Sequence, residues 1–137
     1  MNTLTQYAAP IGRVLISLIF IIAGLSKITG YSATVGYMES QGVPGALLPA
    51  VIFTEVVFGV LVLIGYKTRI AAFLLAGFCI ISALLFHANI GDQMQQILFL
   101  KNLAIAGGFL FLVAHGAGIL SVDNRLRTEP EDLAKTI

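Results

Sequence analysis

Glu55 stands between Ala50-Val51-Ile52-Phe53-Thr54 and Val56-Val57-Phe58-Gly59-Val60. An ionised carboxylate in such a run is costly unless a cation pairs with it. Insertion scales put a central acid or base in a membrane helix at about 2.5–3.5 kcal/mol, so a residue kept there serves a pairing or a reaction. Lys27, His87, Lys101 and Asn102 are polar side chains in or at the ends of comparably apolar stretches. A Lys–Glu pair can pin helix register, or it can move protons. Glu55 is therefore the candidate catalytic residue, as proton acceptor or as partner of Lys101 or Lys27. Lys27, Glu55, His87, Lys101 and Asn102 form the candidate ligand-binding set. Two lysines against one glutamate leave such a site weakly positive, suited to an anion or to the oxygen atoms of a polar headgroup.

Metal chemistry finds no support in the sequence. His87 and His115 lie near opposite membrane faces and so cannot share a metal, and no HxxxH, HExxH or Cys/His cluster occurs. The one cysteine, Cys79, excludes CxxC redox chemistry and reads as a small buried hydrophobe. Walker, GxGxxG and nucleophile-elbow motifs are absent, and the scattered basic residues suggest no nucleic-acid surface.

The elements that must position these side chains follow from composition. Of 137 residues, 58% are hydrophobic and 11% charged, too apolar for a small soluble domain with its high surface-to-volume ratio. Apolar runs cover approximately 11–29, 47–65, 70–88 and 97–116. Each has 19 or 20 residues, about 28–30 Å as helix, which matches a bilayer core. The expected fold is all-α: a single-domain integral membrane four-helix bundle. On this division Glu55 lies roughly 12 Å below the outer end of the second run, and Lys101 about 6 Å into the fourth.

If the N-terminus is cytoplasmic, Arg13, Lys67, Arg69, Arg125, Arg127 and Lys135 lie inside, and only Lys27 and Lys101 outside. That six-to-two split satisfies the positive-inside rule with both termini in the cytoplasm. Arg13 and Lys27 argue against a cleaved signal at the first run. Tyr66-Lys67-Thr68-Arg69 is a tight turn. The 30–46 loop has room for a short interfacial helix capped by Ser32, ending near Gly42, with Tyr31, Val35 and Met38 on one face. The segment 89–96 reads as a short polar loop, and the tail from about 119 to 137 as a soluble, frayed end. Gly24, Gly59, Gly77, Gly107 and Gly108 would permit close helix approach.

The order of motifs carries a resemblance. Ala23-Gly24-Leu25-Ser26-Lys27, Tyr37-Met38-Glu39, Gly42-Val43-Pro44, Glu55, Gly65-Tyr66-Lys67-Thr68-Arg69 and Phe86-His87 look like the DoxX family. Phe99-Leu100-Lys101-Asn102-Leu103, Ala106-Gly107-Gly108-Phe109-Leu110 and the exit from Gly118 to Asp123 continue it. The likeness runs from about Gly12 to Asp123 and is strongest to a small bacterial inner-membrane subgroup. That resemblance implies a four-helix inner-membrane protein. The family is named for a subunit linked to thiosulfate:quinone oxidoreduction, and some relatives are associated with membrane oxidoreductase complexes. The positions that match are Lys27, Glu55, His87, Lys101 and Asn102.

The leading expectation is a membrane subunit of a redox system, not a self-sufficient enzyme. It would bind a quinone headgroup or a sulfur oxyanion in an outer-side polar pocket, with quinone the candidate cofactor. The bilayer, membrane oxidoreductase partners and further copies of the chain are the candidate partners. A structural or assembly subunit, and a small solute or proton pathway, are the alternatives.

Overall fold

The computed structural model describes residues 2–128 of the chain. Four helices are long and apolar enough to cross a membrane: Thr3–Thr29, Gly45–Ile64, Thr68–Phe86 and Gln93–His115, the first to fourth spans below. Every regular element among the described residues is helical, as composition required. Large apolar side chains such as Ile11, Ile22, Phe73, Ile81 and Phe111 point outward, where a bilayer rather than water would cover them. The interior is thin. Phe20, Val62, Leu75 and Phe109 fill it against Ala71, Ala72, Ala76 and Cys79 of the third span, whose small side chains let neighbouring helices approach closely. The third and fourth spans make the most extensive helix pair.

The two largest departures from the apolar runs are at the starts of the first and fourth spans, and local capping explains both. The first helix starts at Thr3, with the Asn2 side chain accepting from Leu4 N–H. The fourth starts at Gln93 because Asp92 Oδ1 accepts the Met94 N–H at 2.9 Å. Part of the segment expected as polar loop is thus the first helical turn.

Between the first and second spans a helix runs Tyr31–Ser40. It follows directly from Gly30 and has no side-chain cap, so Ser32 does not play the expected role. Its end is a Schellman arrangement: Val43 N–H donates to Met38 O and Gly42 N–H to Glu39 O, with Gly42 at φ +77°. Met38 is buried against Val43 and Leu48, with Val35, Ile52 and Phe86 around them. Tyr31 is exposed, away from that cluster. The short helix is thereby folded over the start of the second span and the end of the third, at what we term the loop end of the bundle.

The opposite, tail end is tied by two charged residues. Arg13 is buried and donates to Leu63 O, Ala117 O and Leu120 O at 3.3, 2.7 and 2.8 Å. These carbonyls lie at or beyond the ends of spans, where helix geometry leaves acceptors without intrahelical partners. Asp123 accepts the Lys67 and Thr68 N–H groups at 2.8 and 2.9 Å, serving as the N-terminal cap that the third span lacks locally. Burial works to raise the Asp123 carboxyl. Hydrogen bonds from Thr68 and Lys67 and the charge of Arg13 outweigh it and hold the group below its ordinary value. The start of the tail is therefore docked rather than frayed, and residues 122–128 are helical. The stretch 129–137, with Lys135, lies outside the described residues.

Candidate functional site

The second span is not a uniform helix. Leu48–Phe53 is α-helical, Thr54–Phe58 forms a π-turn, and Gly59–Ile64 resumes the α-helix. Thr54 Oγ1 donates back to Ala50 O at 2.8 Å, a bond that competes for the helix ladder and favours local distortion. Single π-turns within α-helices are frequent at functional positions because the extra residue re-aims the side chains around it. Glu55 lies inside this turn and is buried.

Its partner is Lys27. The ammonium lies 2.9 Å from both carboxylate oxygens, and the pair is lopsided, with side-chain exposures of 28% for Lys27 and 6% for Glu55. Lys27 occupies the last turn of the first span, where the helix dipole favours a cation. The backbones meet closely at this level. A Cβ on Gly24 would fall 2.5 Å from Val56 Cγ2 and 3.2 Å from Glu55 Cβ.

Beside the pair is a cavity of about 410 Å³, enclosed by the Tyr31–Ser40 helix and the second and third spans. Its walls are chiefly apolar, with Val51, Phe78 and Leu85 among them; Thr34, Thr54 and Ser82 add hydroxyl groups. Tyr37 and Phe86 stack at 5.6 Å between ring centroids, 22° from parallel, on one side. His87 lines the rim, and its Nδ1 lies 2.8 Å from Gln95 Oε1 on the fourth span.

Of the five sequence-selected ligand residues, Lys27, Glu55 and His87 line this cavity. Lys101 is exposed and Asn102 half-buried, and neither lines it. The cavity accordingly holds one lysine against one glutamate, a neutral pair rather than a net positive site. Sequence reasoning missed Tyr37 as a stacking residue, the hydroxyls of Thr34 and Ser82, and Gln95. Only Tyr37 carried a signal, as part of the Tyr37-Met38-Glu39 motif. Among the described residues no group of three metal-ligating side chains comes together.

Fold and site together define a four-helix membrane protein with an ion pair set beside a largely apolar cavity at one end of the bundle. More particularly, the chain belongs to the DoxX family, whose model, described as DoxX, matches residues 8–88. It is 44% identical over 126 residues to Inner membrane protein YqjF of Escherichia coli (strain K12), covering 92% of this chain and 97% of that one. It is 38% identical over 140 residues to Inner membrane protein YphA of the same organism, covering 91% of this chain and all of the relative. A shorter match, 34% over 76 residues, joins it to CatD of Bacillus subtilis (strain 168), whose name assigns that protein provisionally to the oxidoreductases. That match covers 56% of this chain and 57% of CatD. No solved structure matches the chain at significance.

Proposed function

We propose that the chain is a membrane subunit of a redox system and holds a quinone headgroup in the cavity beside Glu55. The observation that carries the reading is the lining: apolar walls, a stacked aromatic pair and a few polar groups at one end. Ligand sites for flat apolar molecules have this composition. Of the two ligand classes the residues suggested, the quinone fits better. A sulfur oxyanion needs uncompensated positive charge and many donors to replace its hydration, whereas Lys27 is already neutralised by Glu55. Lys27 and a cavity hydroxyl would orient the carbonyl oxygens. Oxidation of a hydroquinone releases two protons and two electrons: Glu55 would take one proton, water at the outer end of the cavity the other, and both electrons pass to a partner protein. The name of CatD supports the redox association. We place the chain in a bacterial inner membrane with both termini in the cytoplasm, from the names of the relatives and the six-to-two distribution of basic residues. The cavity then faces the outer side.

The test is quinone-analogue binding to the purified full chain. Wild-type protein should bind it and not thiosulfate, and Ser82→Phe, which fills the cavity, should weaken binding tenfold or more with the melting temperature preserved. Absence of binding, or binding untouched by Ser82→Phe, would contradict the proposal.

One observation favours a second reading. The ion pair lies where Gly24 brings the first and second spans together, so it also serves as a pin between helices in a subunit that binds no ligand. That reading predicts stability effects from Glu55 and Lys27 variants without any quinone binding.

A further inference from the structure

The tail end of the bundle carries a second opening, unconnected with the Glu55 cavity. It measures about 570 Å³ and lies between the start of the third span and the end of the fourth. Lys67, Arg69, His115 and Arg127 line it, and Asp123 is the one acidic residue among its lining. That carboxylate is already engaged with the Lys67 and Thr68 N–H groups. We propose that this cleft binds the phosphate of an anionic phospholipid headgroup.

The cations are held in place. Arg69 Nη1 donates to Val113 O at 3.3 Å, and a Cβ on Gly116 would be 3.4 Å from the Arg69 Nε and Nη2 atoms. The guanidinium is thus laid across the last turn of the fourth span. One of its five N–H groups is spent there, and a fork remains of the kind that phosphate oxygens accept. Arg127 Nη2 donates to Asn124 Oδ1 at 2.9 Å, which spends one N–H in the same way. The Lys67 ammonium sits 5.7 Å over the Tyr66 ring. Attraction of basic side chains to a helix C-terminus explains Arg69 and His115. It does not explain Lys67 and Arg127, which come from the turn and the tail.

Position selects a lipid rather than a soluble phosphate. The cleft lies at the ends of two membrane-spanning helices, the level of lipid headgroups. Ile70, next to Arg69 on the cleft wall, is 62% exposed and offers apolar surface that an acyl chain near its headgroup would cover. Clustered Lys and Arg at the cytoplasmic ends of spans attract anionic lipid at about 1 kcal/mol per charge, roughly fivefold each.

The experiment is native mass spectrometry of the full chain extracted from vesicles of equal phosphatidylglycerol and phosphatidylcholine. Wild type should retain phosphatidylglycerol preferentially. Arg69→Gln with Arg127→Gln should reduce retention tenfold or more, while Lys101→Gln, the loss of one positive charge at the other end, should leave it intact. Arg127→Gln alone, at an exposed tail position, should give about a fivefold loss and serves if the double variant unfolds. Equal retention of both lipids, or equal loss in Lys101→Gln, would overturn the proposal. Displacement of phosphatidylglycerol by millimolar glycerol phosphate would overturn it in favour of a soluble phosphate site.

Discussion

Lys27 Nζ and the carboxylate of Glu55 meet at 2.9 Å to both oxygens, joining the end of the first span to the π-turn of the second. The two partners depend on each other unequally. Glu55 is almost fully enclosed, whereas Lys27 keeps part of its length exposed and can carry its charge outward along its own stem.

That asymmetry orders the consequences of breaking the pair. Lys27→Met leaves an enclosed carboxylate without its cation and should cost about 2–3 kcal/mol, the penalty of a buried charged group left unsatisfied. Glu55→Gln leaves a lysine that can reorient and should cost less. Thermal unfolding in detergent measures both. Adding Glu55→Gln to Lys27→Met should recover stability relative to Lys27→Met alone. A double variant less stable than either single one would show that the two residues do not form a unit.

The close approach at Gly24 makes a steric prediction. A Cβ there falls 2.5 Å from Val56 Cγ2, so Gly24→Ala forces the first two spans apart at the level of Glu55. The expected loss is about 1–3 kcal/mol, typical of overpacking a tight interface. Val56→Ala removes the clashing methyl group and should restore much of that loss in the double variant. Gly77 and Gly107, where a Cβ meets nothing within 4 Å, should accept Ala without such a cost.

The tail end should show a pH signature. Asp123 is held below its ordinary pKa by Thr68, Lys67 and Arg13, so the folded state favours the carboxylate more than the unfolded state does. A group of this kind adds stability that is full above its unfolded value, near 3.9, and is lost as pH falls through the lower folded value. Melting temperature followed from pH 6 down to 3 should fall at the acid end. Asp123→Asn should flatten that part of the curve and cost about 1 kcal/mol at pH 7, because an amide can accept only one of the two N–H bonds that the carboxylate oxygens accept. An unchanged acid limb in Asp123→Asn would assign the acid sensitivity elsewhere.

Hydropathy made the four spans legible, because a run of 19 or 20 apolar residues has few alternatives. The cost of an enclosed carboxylate made Glu55 legible as well. The choice between Lys27 and Lys101 was not readable, since both lie near the same depth and only the rotation of each helix decides which one turns inward. The π-turn has no breaker residue to announce it. Its one local mark, Thr54 bonding back to Ala50, is a contact that any membrane-helix threonine can make. Arg13 at the edge of an apolar run looks the same whether it snorkels or folds inward onto carbonyls more than 100 positions away in sequence. The docking of Asp123 under the third span likewise joins residues 55 and 56 positions apart, beyond the reach of any local pattern.

Glu55 bears the central claim, and its neutral isostere tests it most directly. The measurement is the dissociation constant of a hydroquinone analogue, whose O–H the Glu55 carboxylate would accept, for purified wild type and for Glu55→Gln, each shown by thermal unfolding to be folded. The account predicts binding by wild type and a loss of about tenfold or more in Glu55→Gln, the scale of one charge-assisted hydrogen bond. Equal affinity in the two folded proteins, or no binding by either, would contradict it.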